Sequence, residues 1–149
     1  MSYVNTIEAC QFNEINFNAL TELGQPCLIK GAIADSPLVQ KGRQSLSSAK
    51  EYLQTFYTQK PMLVYQTLGG ISFYIGSARL NDYFPGVLEA NLPMHNANLS
   101  GHSAQAGIWL GNKTTAVTHF DTSNNIAACM LGRRRFTLFP PEQSGNLYP

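Results

Sequence analysis

Hydrophobic residues change their spacing near Met62, and that change constrains the fold more than any other feature. Over residues 45–57, Leu46, Ala49, Leu53 and Phe56 recur at helical spacing, with Ser48 and Glu51 as a capping box in the first turn. A shorter helix is expected over residues 15–23, with Ile15, Leu20 and Leu23 near one face and Gly24 as its stop. Pro26-Cys-Leu-Ile-Lys-Gly-Ala-Ile reads as a short buried strand. From Met62 the period becomes two. Met62-Leu-Val-Tyr-Gln-Thr and Ile71-Ser-Phe-Tyr-Ile flank Leu68-Gly69-Gly70, a hairpin signal because glycine tolerates positive φ in a tight turn. Residues 79–84 read as one or two helical turns before Pro85-Gly86, and residues 91–101, rich in Asn, His, Ser and Gly, as loop. Four β-like segments follow, at 106–111, 114–120, 125–131 and 134–139, and Pro140-Pro141 must end the last because proline cannot donate to a ladder. Helices first and closely spaced antiparallel strands after define an α+β chain with a barrel or sandwich core.

Composition narrows the function classes. With 149 residues, no repeat and no Gly/Ser/Pro linker, the chain reads as a single domain spanning residues 1–149. Only 13% of residues are charged, the formal net charge is +1, and no like-charge block is longer than Arg133-Arg134-Arg135. That excludes a disordered charged tail and gives no support to a general nucleic-acid surface. The apolar runs fall short of the ~18–20 residues needed to span a bilayer, so no membrane segment is expected. The opening Met1-Ser-Tyr-Val-Asn-Thr-Ile-Glu has no basic region followed by an apolar one, so no secretory signal is read there. Cys10, Cys27 and Cys129 are odd in number and widely spaced, against a disulfide scaffold or a Cys-x-x-Cys site. The expected setting is cytoplasmic, with reduced thiols.

One constellation has a chemical rationale. His119 and Asp121 stand at i and i+2 near an expected strand end, where side chains project to one face about 7 Å apart at Cα. An imidazole and a carboxylate so placed can share a metal ion, and two nitrogens with one carboxylate form the facial triad of non-haem Fe(II) oxygenases. Alone the motif is weak: three histidines and nine acids give some His-x-acid in roughly one chain in five by chance. The bland alternative is a strand-end histidine satisfied by an aspartate. Context adds to the motif. If Leu131-Gly132-Arg133 turns a hairpin with Cys129 opposite Arg134, then Asn125, Ala127, Cys129, Arg134, Phe136 and Leu138 share one face. Small residues beside one inward guanidinium leave room for an anion, which arginine binds as a bidentate fork. The competing reading makes Arg134 a solvated edge charge.

The ordered series Ile108-Trp-Leu-Gly-Asn, His119-Phe-Asp, Asn125-Ile-Ala and Gly132-Arg-Arg-Arg-Phe-Thr-Leu-Phe-Pro-Pro-Glu-Gln strongly resembles the cupin-like JmjC family. That family includes the asparaginyl hydroxylase that acts on hypoxia-inducible factor. The resemblance is most specific over residues 108–149 and looser upstream, where Gly24-Gln-Pro-Cys-Leu-Ile-Lys-Gly looks like the family's first core strand. It implies a double-stranded β-helix, here incomplete, that binds Fe(II) and 2-oxoglutarate and hydroxylates a substrate with O₂. By position it makes His119 and Asp121 the first two iron ligands. Arg134 falls where the family places a basic residue on the distal carboxylate of 2-oxoglutarate, and Asn125 matches an asparagine beside the same cosubstrate. Thr115 shares strand parity with His119 and is the preferred threonine contact to 2-oxoglutarate, with Thr114 and Thr118 as alternatives.

One departure from the family matters. Its second iron-binding histidine lies on a later strand, whereas none of the 28 residues after Asp121 is histidine, and His95 and His102 lie upstream in the polar loop. The expectation is therefore the amino-terminal part of a longer enzyme, inactive as it stands. A non-catalytic cupin-like binding module is the second reading, and a metal-free structural domain with a hydrogen-bonded His119–Asp121 pair is the third. The resemblance implies a protein or peptide substrate; near-neutral charge weighs against nucleic acid while leaving an RNA base open, and a homodimer is open too. Trp109 is expected to pack in the core, Cys129 to be a buried small hydrophobe, and Arg133 and Arg135 to be solvated or substrate-facing.

Overall fold

The computed structural model describes residues 4–8, 11–66, 69, 72–92 and 105–147. Its first unit is small. Strand β1 (Asn5–Ile7) pairs in parallel with β2 (Cys27–Ile29) in the register Asn5↔Cys27 to Ile7↔Ile29. Between them lie a 3-10 turn (Phe12–Glu14) and helix α1 (Phe17–Glu22), the latter capped by the Asn16 side chain accepting from the Ala19 N–H at 3.1 Å. Phe12, Ile15 and Phe17 are buried together, against Leu20, Ile29, Ala32, Ile33 and Leu92.

The main core forms around two helices. Helix α2 (Pro37–Gln44) starts with proline at its first position, where a missing N–H costs nothing. Ser45 ends α2 and begins α3 (Leu46–Gln54): its backbone is extended, and its Oγ accepts from the Ser48 N–H at 3.0 Å. The N-cap is therefore Ser45, at the expected start of the helix, and the cap is its own Oγ rather than the expected Ser48–Glu51 box. Leu38 from α2 and Ala49 and Leu53 from α3 are buried with Leu80, Phe84 and Val87. These last three come from α4 (Leu80–Tyr83), the residue ending it, and α5 (Val87–Asn91).

Asn91 corrects the expected loop over 91–101: it ends α5 and is buried. Its Oδ1 accepts from Ser36 Oγ at 2.9 Å and from the Leu38 N–H at 2.8 Å. Its Nδ2 donates to the Val87 carbonyl at 2.8 Å and to the Tyr52 hydroxyl at 3.3 Å. One side chain thus satisfies an orphan donor at the start of α2 and ties α2, α3 and α5 together. Residues 93–104, with His95 and His102, lie outside the described residues.

The expected hairpin is present as β3 (Tyr65–Gln66) and β4 (Phe73–Arg79), antiparallel with Tyr65↔Tyr74 and Gln66↔Phe73. Gly69 between them has φ +97°, the left-handed backbone the turn requires; Leu68, Gly70 and Ile71 lie outside the described residues. Strand β5 (Gly107–Gly111) adds to the other edge of β4. A bulge at Gly76-Ser77, where Ser77 takes φ +50°, shifts the register between Ile75↔Leu110 and Ala78↔Ile108. At Gly111 a Cβ would stand 2.7 Å from the Phe73 carbonyl oxygen, so only glycine allows this approach. Ile108 and Leu110 pack on the main core, while Trp109 alternates outward and is 44% exposed, against the expectation of core packing.

Beyond β5 the structure departs from the sequence reading. Of the four β-like segments expected after residue 105, only the first forms a ladder; 114–120, 125–131 and 134–139 have no strand partner among the described residues. Gly132 does supply a turn, at φ +74°, but the expected pairing of Cys129 with Arg134 is not formed. A two-stranded ribbon without a third strand or a covering helix is marginal, which is the physical reason. No residue from 111 to 146 is buried; Met130 and Leu131 alone are half-buried, against the main core. Pro141–Gln143 (3-10) and α6 (Ser144–Leu147) end the described chain. Among the described residues no helix is long and apolar enough to cross a membrane.

Candidate metal-binding site

All five residues singled out by sequence, Thr115, His119, Asp121, Asn125 and Arg134, lie on the exposed segment after β5. They lie outside any sheet, and the hydrogen bonds of the segment are short-range ones made by side chains. His119 Nδ1 lies 2.7 Å from the Val117 carbonyl oxygen. A carbonyl only accepts, so Nδ1 carries the proton, and in the neutral ring Nε2 keeps its lone pair. Metal-binding histidines commonly have one nitrogen engaged by an acceptor and the other free for the ion.

Asp121 is held as well. Asn125 Nδ2 donates to Asp121 Oδ2 at 2.7 Å, four residues along the chain, and Oδ1 has no donor among the described residues. Sequence reasoning placed Asn125 beside a cosubstrate and missed this bond. The signal was there in Asp121-Thr-Ser-Asn-Asn, a cluster of short polar residues that turns the chain back on itself. His119 and Asp121 form no ion pair with each other, and Arg134 has no acidic partner among the described residues. The third sequence reading, a hydrogen-bonded His119–Asp121 pair, is therefore not what holds either side chain.

Cys129 is exposed, not buried as expected: the ladder that would have covered it is absent, and its thiol faces the Leu131 carbonyl at 3.7 Å. Arg133 and Arg135 are exposed, in line with expectation. Among the described residues no three His, Cys, Asp or Glu side chains gather where they could hold a metal. One imidazole and one carboxylate are donor types that iron accepts, and a facial triad needs a third donor beside them.

The model of a cupin-like domain matches residues 67–149, more than half of the chain and the whole of the segment that carries these residues. The chain belongs to the cupin-like domain family. It is also similar to the JmjC domain-containing protein D of Dictyostelium discoideum, 36% identical over 55 residues. That match covers 36% of this chain and 12% of the relative, so the cupin-like chain corresponds to a small part of that protein's length. No solved structure matches it.

Proposed function

We propose that this cupin-like chain carries the iron- and 2-oxoglutarate-binding part of a hydroxylase that acts on a protein side chain. The single observation that carries the reading is the state of His119 and Asp121: among the described residues Nε2 of the imidazole and Oδ1 of the carboxylate have no partner, and each side chain is held by a hydrogen bond on its other atom. Family membership and the JmjC-domain relative support the same reading. When bound, Fe(II) with 2-oxoglutarate and O₂ supplies an oxidant able to hydroxylate an unactivated C–H bond.

The residues of this chain have simpler tasks. His119 and Asp121 donate to the metal. Asn125 fixes the Asp121 carboxylate, a role distinct from the cosubstrate contact expected by resemblance. The Arg134 guanidinium takes the distal carboxylate of the oxoacid as a fork, with Thr115, or its neighbours Thr114 and Thr118, adding a hydroxyl. The third metal ligand and the strands that close a double-stranded β-helix come from outside the described residues. Supporting this, the exposed segment is rich in apolar side chains that a second sheet would cover: Val117 is 84% exposed and Phe120 81%. The second reading, a non-catalytic cupin-like module, draws on the incomplete donor set.

The test is Fe(II)-dependent succinate formation from 2-oxoglutarate by the natural protein, with all sequence that flanks this chain, alongside its Fe(II) affinity. The proposal expects turnover and a measurable iron site, both lost in His119→Ala. Iron binding without turnover across a panel of protein substrates favours the module; turnover surviving His119→Ala refutes the ligand assignment.

A further inference from the structure

The three-stranded sheet has two edges of different kind. At one edge β3 is two residues long and offers little to a further strand. At the other β5 is five residues long and carries no charge, no proline and no bulge, the devices that usually protect an edge. The Asn112 N–H donates to the Phe73 carbonyl at 3.3 Å, and the Leu80 N–H donates to the Ala106 carbonyl at 3.0 Å. Both ends of β5 therefore set the same alternation, in which residues 106, 108, 110 and 112 turn their N–H and C=O groups to β4. The bulge leaves it undisturbed, since the extra residue stands on β4. Gly107, Trp109 and Gly111 turn theirs to the free edge, where no strand among the described residues meets them.

We propose that β5 is the interface of a homodimer, pairing antiparallel with β5 of a second copy about a two-fold axis at Trp109. The sequence Gly107-Ile-Trp-Leu-Gly is self-complementary about its centre. In that register Gly107 faces Gly111 of the second copy, Ile108 faces Leu110 and Trp109 faces its own counterpart. Every outward N–H and C=O then finds a partner, because the three odd-numbered residues face one another. A shift of one residue sets outward groups against inward ones, and a shift of two leaves a pair unmade. Side chains select the same occupant. The Trp109 ring lies over Gly107, where a Cβ would stand 3.3 Å from it, so the residue opposite must leave that face clear. In the second copy that residue is Gly111, whereas an unrelated peptide brings a side chain. Just outside the strand Gln105 faces Lys113, so no like charges oppose. The two Trp109 rings, on the face away from the core, become the central cross-strand pair. The contact is one five-residue strand pair, short of the about 1,000 Å² of a stable complex, so the dimer is weak and concentration-dependent. Neither iron nor the oxygenase reading enters it.

The experiment is sedimentation velocity on this chain from about 10 μM to 1 mM, with the emission of Trp109, its only tryptophan, followed in parallel. The expected result is a monomer–dimer equilibrium, with emission moving to the blue as the rings cover each other. Trp109→Lys and Trp109→Glu each set like charges face to face and should each weaken the dimer about tenfold or more. An equimolar mixture of the two should dimerise at least about fivefold more tightly than either alone, because residue 109 then meets the opposite charge. That rescue also separates a lost interface from a misfolded variant. The natural protein with its flanking sequence should dimerise likewise. A chain that stays monomeric at the highest concentration, a dimer indifferent to charge at residue 109, or a mixture without rescue overturns the proposal. So does a monomeric natural protein, in which a strand of its own holds the edge.

Discussion

Residues 37–92 and residues 112–139 are built from similar material and end in opposite states. Twelve of the 28 residues from 112 to 139 are apolar, close to the 44% of the whole chain. Yet the first region buries Leu38, Ala49, Leu53, Leu80, Phe84 and Val87 around one core, and the second buries nothing. The difference lies in where backbone partners come from. A helix satisfies its N–H and C=O groups within four residues, so α2 and α3 need from each other only a shared apolar stripe. A strand satisfies nothing until another strand lies beside it, so apolar content without a neighbour stays in solvent. Among the described residues, Asn112 and Lys113 stay bonded to Phe73 and Ser72 at the end of the β4–β5 ladder, and beyond them Met130 and Leu131 rest on the helical core.

Paired substitutions can break that comparison. Phe84→Ala, in the core with its ring centroid 5.2 Å from that of Tyr57, should cost about 3–5 kcal/mol in urea unfolding of this chain. The comparable truncation Phe120→Ala should cost less than about 0.5 kcal/mol, because the ring is already in water. A large loss at Phe120 would mean that the carboxy-terminal segment packs in solution. Next in size is Asn91→Ala, which strands the buried Leu38 N–H and Ser36 hydroxyl and removes the donor to the half-buried Tyr52 hydroxyl; about 2–3 kcal/mol is expected, by the same assay.

How much of this could be read from sequence follows the same division. The β3–β4 hairpin was legible because both strands and Gly69 lie within about fifteen residues, and α3 because its apolar spacing is local. Helix α2 was not anticipated, although Ser36-Pro37 is a recognisable helix start. The strands expected over 114–139 have the right residues, but whether they pair is decided by neighbours remote in sequence, which local spacing does not encode. At the site, spacing found His119 and Asp121; the bonds that orient them, to the Val117 carbonyl and from Asn125, depend on a turn whose geometry only coordinates reveal.

Smaller effects sharpen the boundary between the regions. Ser45→Ala removes the cap of α3 and should cost about 1 kcal/mol. Gly42→Ala gives α2 a better helix former, worth up to about 1 kcal/mol, but the new methyl meets the end of the Leu131 side chain. That flexible group should swing aside, leaving a net change within about 0.5 kcal/mol and releasing the contact between the two regions. A loss well above that would show Leu131 to be firmly seated.

Under the proposed function, residues 112–139 become strands only when partners beyond the described residues lie beside them. Amide hydrogen exchange read by mass spectrometry tests it most directly, on this 149-residue chain and on the natural protein with its flanking sequence. Slow exchange is expected around Ala49, Leu53 and Phe84 in both, with fast exchange over 112–139 in the chain alone and slow exchange over 112–139 in the natural protein. Fast exchange of 112–139 in both, with iron-dependent turnover intact, would contradict it.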